Sequence, residues 1–390
     1  MKFPLAPGGR PGSLGAGLPG LGASPLGGGD RLAAFTDFAP NPGALAAHAY
    51  VPDDLEPGAA LVVVLHGCTQ NAAGYDHGSG WSWLAERHGF ALLFPEQARA
   101  NNPNLCFNWF QPKDTARGQG EAASIAAMIG AMAERHGIDP ARVHVTGLSA
   151  GGAMASAMLA AYPELFASGA IIAGLPHGVA AGVPQALDAM AGRAVPDADT
   201  LGGRVRAASN HAGPWPRVSV WQGDADSTVT ARNGAAVAAQ WRHVHGLGEA
   251  AAVTEPIGPH RRTAWTDAEG RAAIELYEIA GMGHGVPLNP GTGEGEAGTA
   301  GAHMLDAGID STGRIAAFFG VGPEAAAGTA AAKARAAKAK PVKPNKVPAP
   351  TAKIVPLPRP AAKRAEPEQP SEPSGVQAVI EKALKAAGLM

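Results

Sequence analysis

An α/β fold, with a mostly parallel central sheet covered by helices on both faces, is predicted by three observations. Short apolar runs recur along the chain, each closes at glycine or proline, and helical patterns lie between several of them. Leu61-Val-Val-Val-Leu65 stops at His66-Gly67, and Phe90-Ala-Leu-Leu-Phe94 stops at Pro95. Residues 143–146, 218–222 and 274–279 read the same way, ahead of Gly147, Gly223 and Gly281. A run that is apolar throughout suits a parallel strand buried on both faces. Residues 121–136, 150–162 and 233–245 read as helices closed by Gly137, Pro163 and Gly246. Such alternation implies right-handed crossovers and binding groups gathered at the C-terminal ends of the strands.

The 390 residues, 46% of them hydrophobic, suffice for one large core or two ordinary ones. Composition shifts twice, near Arg31 and Gly322. The expected divisions are a disordered Gly/Pro-rich segment at 1–30, a folded body at 31–322, an Ala/Lys/Pro-rich linker at 323–373 and a short amphipathic helix at 374–390. That helix would carry Val376, Val379, Ile380, Ala383, Leu384 and Ala387 on one stripe.

The net charge of −2 hides an asymmetry. From Val321 onward there are 12 Lys and Arg against 5 Asp and Glu, leaving 19 basic and 28 acidic residues in the rest. The body therefore has no general attraction to nucleic acid. The tail reads as a solubilising linker, with contact to an anionic surface or granule as the alternative. No apolar window is long enough to span a bilayer, and the N-terminus lacks the pattern of a secretory signal. Two cysteines, Cys68 and Cys106, exclude a disulfide-dense scaffold and a four-cysteine zinc site. Neither a metal nor a cofactor is expected.

The chemistry centres on Gly147-Leu-Ser149-Ala-Gly151. A serine hydroxyl needs an adjacent base, and it must project from the backbone so that base and substrate both reach it. A strand, a tight turn with flanking glycines and a following helix provide that projection, the nucleophile turn of the α/β-hydrolase fold. An acid and a base should follow in that order on later post-strand loops. In Gln222-Gly-Asp-Ala-Asp-Ser-Thr-Val229, Asp226 is preferred as the acid and Asp224 as a brace of the turn. Among later histidines, His284 in Gly281-Met-Gly-His-Gly285 is preferred over His303. His243 and His245 are assigned to a helix surface and His260 to a solvent-facing turn. Oxyanion donors are expected from the N–H groups of Ala150 and Cys68, with His66 as a loop brace.

Taken together, His66-Gly-Cys-Thr-Gln70, Cys106-Phe-Asn-Trp-Phe110, Arg117-Gly-Gln-Gly-Glu121 and Gly147-Leu-Ser-Ala-Gly-Gly-Ala-Met154 resemble the polyhydroxybutyrate depolymerase family, which includes feruloyl and acetylxylan esterases. The resemblance runs from about Ala49 to His284. It implies an α/β-hydrolase catalytic domain, Ser149, Asp226 and His284 as a triad, and hydrolysis of carboxylic esters, polyester or small. It also implies action outside the cytoplasm, a cytoplasmic setting being the alternative in the absence of a readable signal peptide. Pairing of Cys68 with Cys106 is suggested on the same basis, against two buried thiols. Trp109 and Phe110 read either as a flat wall for substrate or as core packing. Trp81, Trp83, Trp221 and Trp241 are assigned to the core.

Overall fold

The structure, a computed structural model, describes residues 31–193, 195–248, 252–290 and 298–322. The segments expected at 1–30, 323–373 and 374–390 lie outside the described residues.

Ten strands form one sheet. In chain order they are β1 (Ala33–Ala34), β2 (Ala46–Tyr50), β3 (Leu61–Leu65), β4 (Ala91–Glu96), β5 (Val143–Leu148), β6 (Ser168–Ile172), β7 (Arg217–Gly223), β8 (Ala252–Ile257), β9 (His260–Thr266) and β10 (Ala272–Ile279). The spatial order is β1-β2-β4-β3-β5-β6-β7-β10-β9-β8. From β4 to β10 every pairing is parallel, while β1, β2, β9 and β8 add antiparallel edges. A separate parallel pair, β11 (Val286–Leu288) and β12 (Met304–Asp306), follows β10.

Period-two alternation decides which face each strand residue serves. Leu61, Val63 and Leu65 of β3 join Val143 and Val145 in one core, packed under α4 (Gly120–His136), α5 (Ala150–Ala161) and α8 (Ala231–His245). Val62 and Val64 point the other way, toward α1 (Ala72–Ser79), α2 (Trp81–His88) and α9 (Ser311–Phe319). Three further α-helices are α3 (Pro112–Thr115), α6 (Val183–Met190) and α7 (Ala198–Ala207). This is the α/β-hydrolase architecture. Helix α5 is buried along its whole length, which its Ala, Gly and Met composition permits by keeping the side chains small or pliant.

Two expectations are corrected. His260 is not in a solvent-facing turn: it opens β9, is buried, and bridges the Ala280 N–H and the Ala307 carbonyl through its two ring nitrogens. The adjacent arginines suggested solvent, but alternation turns only Arg261 outward, onto Glu278, while Arg262 shares the face of His260 and is paired with Glu275 and Glu255. Trp83 is not core either. It is 45% exposed and lies under the Arg31 guanidinium at 3.9 Å, a cation–π contact that covers the ring from outside.

Candidate active site

The C-terminal ends of β3, β5, β7 and β10 bring the singled-out residues to one edge of the sheet. At the end of β5, Ser149 has φ 57° and ψ −117°, a left-handed backbone that a non-glycine residue adopts at a cost of roughly 1–3 kcal/mol. The turn is held by Ser149 N–H to the Ile172 carbonyl at 2.9 Å and by Ala153 N–H to the Ser149 carbonyl at 2.8 Å. Although Ser149 stands at the start of α5, its Oγ does not cap the helix. The hydroxyl is left for other chemistry.

The flanking glycines are a packing requirement. A Cβ on Gly151 would land on the Leu65 and His66 carbonyls, and one on Gly147 would strike the backbone of Gly151. The turn is thus pressed against the end of β3, where His66-Gly-Cys-Thr-Gln70 begins. His66 is buried. Gln97 N–H donates to its Nε2 at 3.1 Å, so Nδ1 carries the proton and donates to the Gly67 carbonyl at 2.7 Å. Burial pushes this imidazole below its usual range, leaving a neutral brace between the ends of β3 and β4. Gln70 closes the loop by accepting the Gly67 N–H at 2.8 Å. The Cys68 N–H makes no hydrogen bond among the described residues, and Ala150 N–H, first in α5, has no intrahelical acceptor. Two N–H groups, one in the loop pressed against the serine turn and one next to Ser149 in the chain, are thus without an acceptor among the described residues.

Cys68 and Cys106 are joined by a disulfide, which ties this loop to the segment carrying Trp109 and Phe110. That segment has a second anchor. Buried Glu121 accepts the Asn108 N–H and the Asn108 amide, each at 2.8 Å, and the Gln97 amide at 2.5 Å. Burial pushes its carboxyl up to about 8, against the opposing pull of these hydrogen bonds. Trp109 packs on a small apolar cluster of Ala153, Leu175, Ala189 and Val229, and Phe110 meets its ring edge-on at 5.5 Å. Ala153 is one turn beyond Ser149, so this wall stands beside the serine. Both aromatic residues are half-buried.

The acid and base loops meet over β7. Gly223 has no room for a side chain because the Met282 and Gly283 carbonyls lie against it, so the loop after β10 leans back across the end of β7. Asp224 holds it there, its carboxylate accepting the Gly281 N–H at 2.7 Å, while Ala225 N–H donates to the Met282 carbonyl at 3.1 Å. In this position His284 Nδ1–H donates to Asp226 Oδ2 at 2.8 Å. Asp226 Oδ1 accepts the N–H groups of Thr228 and Val229 at 2.9 Å each. Gln222 adds an amide N–H to Oδ2 at 3.1 Å. With Nδ1 protonated, His284 Nε2 carries the free lone pair, the tautomer a general base needs. Gln222 carried no signal in the sequence, since a glutamine at the end of a strand is indistinguishable from any buried polar residue until the loop it supports is in place.

Among the described residues there is no cluster of three or more His, Cys, Asp or Glu able to hold a metal, and no helix long and apolar enough to cross a membrane.

Comparison with known proteins identifies the family. The family described as Esterase PHB depolymerase matches residues 47–263. Poly(3-hydroxyalkanoate) depolymerase C of Paucimonas lemoignei is 42% identical over 291 residues, 74% of this chain and 70% of that protein. An acetylxylan esterase of Coprinopsis cinerea is 30% identical over 66% of this chain and 70% of that protein. Among solved structures, the acetyl xylan esterase of Aspergillus awamori superposes with a TM-score of 0.60 at 28% identity, covering 65% of this chain and 93% of that one. The chain belongs to the esterase PHB depolymerase family and is a serine-type carboxylic ester hydrolase with the α/β-hydrolase fold.

Proposed function

We propose that Ser149, Asp226 and His284 are the nucleophile, orienting acid and general base, and that the ester is a polyhydroxyalkanoate, as polymer or oligomer. The observation that carries the first part is the hydrogen bond between His284 and Asp226 at the sheet edge that also bears a serine whose hydroxyl caps nothing. His284 Nε2 takes the proton of Ser149 Oγ as the oxygen attacks the ester carbonyl. The oxyanion so formed is met by the N–H groups of Cys68 and Ala150, each worth roughly 3–4 kcal/mol of transition-state stabilisation. The C–O bond to the alcohol breaks, His284 returns the proton to the leaving oxygen, and water then cleaves the acyl-enzyme by the same steps. Trp109 and Phe110 offer the acyl chain an apolar wall.

The polyester assignment rests on the depolymerase relative, which shares more sequence with this chain than the acetylxylan esterase quoted above. The Cys68–Cys106 bridge supports work in an oxidising, extracellular setting. Acetylated polysaccharide is the second reading, favoured by the acetylxylan esterases of C. cinerea and A. awamori. Incubation with 3-hydroxybutyrate oligomers, acetylated xylan and methyl ferulate, with products measured by chromatography, separates the two. Release of hydroxybutyrate by the wild type, lost in Ser149→Ala, is the expected result. Acetate release alone would reject the polyester reading, and an active Ser149→Ala would reject the nucleophile.

A further inference from the structure

The loop bearing His284 is gripped from two sides. The Asp224–Ala225 side is described above. The other side is the segment entering β12, where His303 Nδ1–H donates to the His284 carbonyl at 3.2 Å and the two imidazoles meet edge to face, 5.9 Å between centroids. Two residues beyond His284, Val286 N–H returns a hydrogen bond to the His303 carbonyl at 2.8 Å, and Val286 pairs with Met304 to begin the β11–β12 ladder. Gly285 has no space for a side chain because the His303 carbonyl and the Leu305 side chain fill it. His303 also has φ 60°, a left-handed conformation in which a β-carbon is strained. The fold thus presents an imidazole from a backbone conformation that glycine would adopt without strain.

We propose that His303 is a positioning residue for the hydrolytic reaction. Its Nδ1–H fixes the carbonyl of His284, and with it the direction in which the His284 ring projects from Asp226. The alignment of Nε2 on Ser149 is then over-determined: Asp226 sets the tautomer and ring plane, and His303 sets the backbone from which the ring hangs. The proposal rests on the reading of His284 as the base.

Three substitutions separate the donor from the backbone geometry. Asparagine tolerates the left-handed region and places an N–H donor near the Nδ1 position, glycine tolerates the region and supplies no donor, and alanine lacks both. With 4-nitrophenyl butyrate as substrate, His303→Asn should keep kcat within about threefold of wild type. His303→Gly and His303→Ala should lose roughly five- to tenfold in kcat, the worth of about one net hydrogen bond, with KM within about twofold. The rate of phosphonylation of the serine by a 4-nitrophenyl phosphonate should fall by the same factor, a readout of nucleophile activation that does not depend on turnover. Thermal melts of the Asn and Gly variants keep the comparison to folded protein, should the Ala variant unfold.

A fully active Gly variant, an Asn variant as impaired as the Gly variant, or a loss confined to KM would each overturn the proposal. His284→Ala is the control for the underlying reading. If it abolishes hydrolysis while all three His303 variants behave as wild type, the triad stands and His303 has no positioning role. If it leaves hydrolysis intact, the triad reading itself fails.

Discussion

Asp226→Asn changes one atom, and the structure dictates where the new amide must point. Oδ1 accepts two backbone N–H groups, from Thr228 and Val229, at 2.9 Å each. The asparagine carbonyl is therefore forced into the Oδ1 place, because an NH2 there would face two donors. Its NH2 takes the Oδ2 place, facing the His284 Nδ1 at 2.8 Å and the Gln222 amide at 3.1 Å. The new NH2 now confronts two donors, His284 Nδ1–H and the Gln222 amide, so the ring moves its proton to Nε2 and accepts through Nδ1. Gln222 can turn its unpartnered Oε1 toward the new NH2 only by withdrawing the Nε2–H that it gives to the Val229 carbonyl at 2.9 Å. The fold thus loses about one net hydrogen bond, roughly 1 kcal/mol, while Nε2 is protonated and cannot take the serine proton. A wrong tautomer of this kind costs about 10⁴ in kcat, close to 5.5 kcal/mol in the barrier. Steady-state hydrolysis of 4-nitrophenyl butyrate near neutral pH, with a thermal melt of the same sample, measures both. A variant that keeps more than about a tenth of wild-type kcat would refute the assignment of Asp226 as the residue that orients the base.

Further expectations concern the parts that hold this geometry. Gly151→Ala should abolish soluble expression or lower the melting temperature severely, because the new methyl group meets the Leu65 and His66 carbonyls rather than a pliant side chain; a variant with wild-type stability would show that the β3–α5 contact yields. Reduction of the Cys68–Cys106 bridge, which spans a sequence separation of 38, should cost roughly 4 kcal/mol on loop-closure grounds. Urea melts with and without reductant test this, with Cys68→Ala/Cys106→Ala as the matched variant, and coincident melts would deny the bridge any role in stability. Glu121, its carboxyl pushed up to about 8 by burial, binds a proton more tightly folded than unfolded. Its contribution to stability is therefore fully present below about pH 4.5 and is lost as pH rises through about 8, on the order of 5 kcal/mol in all. Glu121→Gln should flatten that part of the stability profile; parallel decline of variant and wild type across the window would assign the pH dependence elsewhere.

Much of the architecture was legible in the chain because it is written locally. The runs at 61–65, 143–146 and 218–222 fall inside β3, β5 and β7, since an uninterrupted apolar stretch can be buried only between helix layers. The helices at 121–136, 150–162 and 233–245 differ from α4, α5 and α8 by no more than two residues at either end. Glycine and proline marked their ends for a steric reason that acts within a turn or two. The peripheral strands were less visible. β8 is exposed along most of its length and carries Pro256, so it has neither alternation nor an apolar run to betray it.

The sequence alone therefore determined the alternating α/β layers, the turn at Ser149 and the chain order of serine, aspartate and histidine. Each depends on neighbours a few residues away. Tertiary structure decided which of two aspartates is bonded to His284, with Asp224 assigned to the Gly281 N–H and Asp226 to the imidazole. It also decided that His303 braces His284, that His260 is buried, that Trp83 is exposed, and that Cys68 meets Cys106. The Asp226–His284 contact depends on loops that meet because β7 and β10 are adjacent in the sheet, and the Cys68–Cys106 bridge joins the segments that follow the paired strands β3 and β4. Contacts between residues 58 positions apart, as for Asp226 and His284, are set by strand order, which no local run of residues encodes.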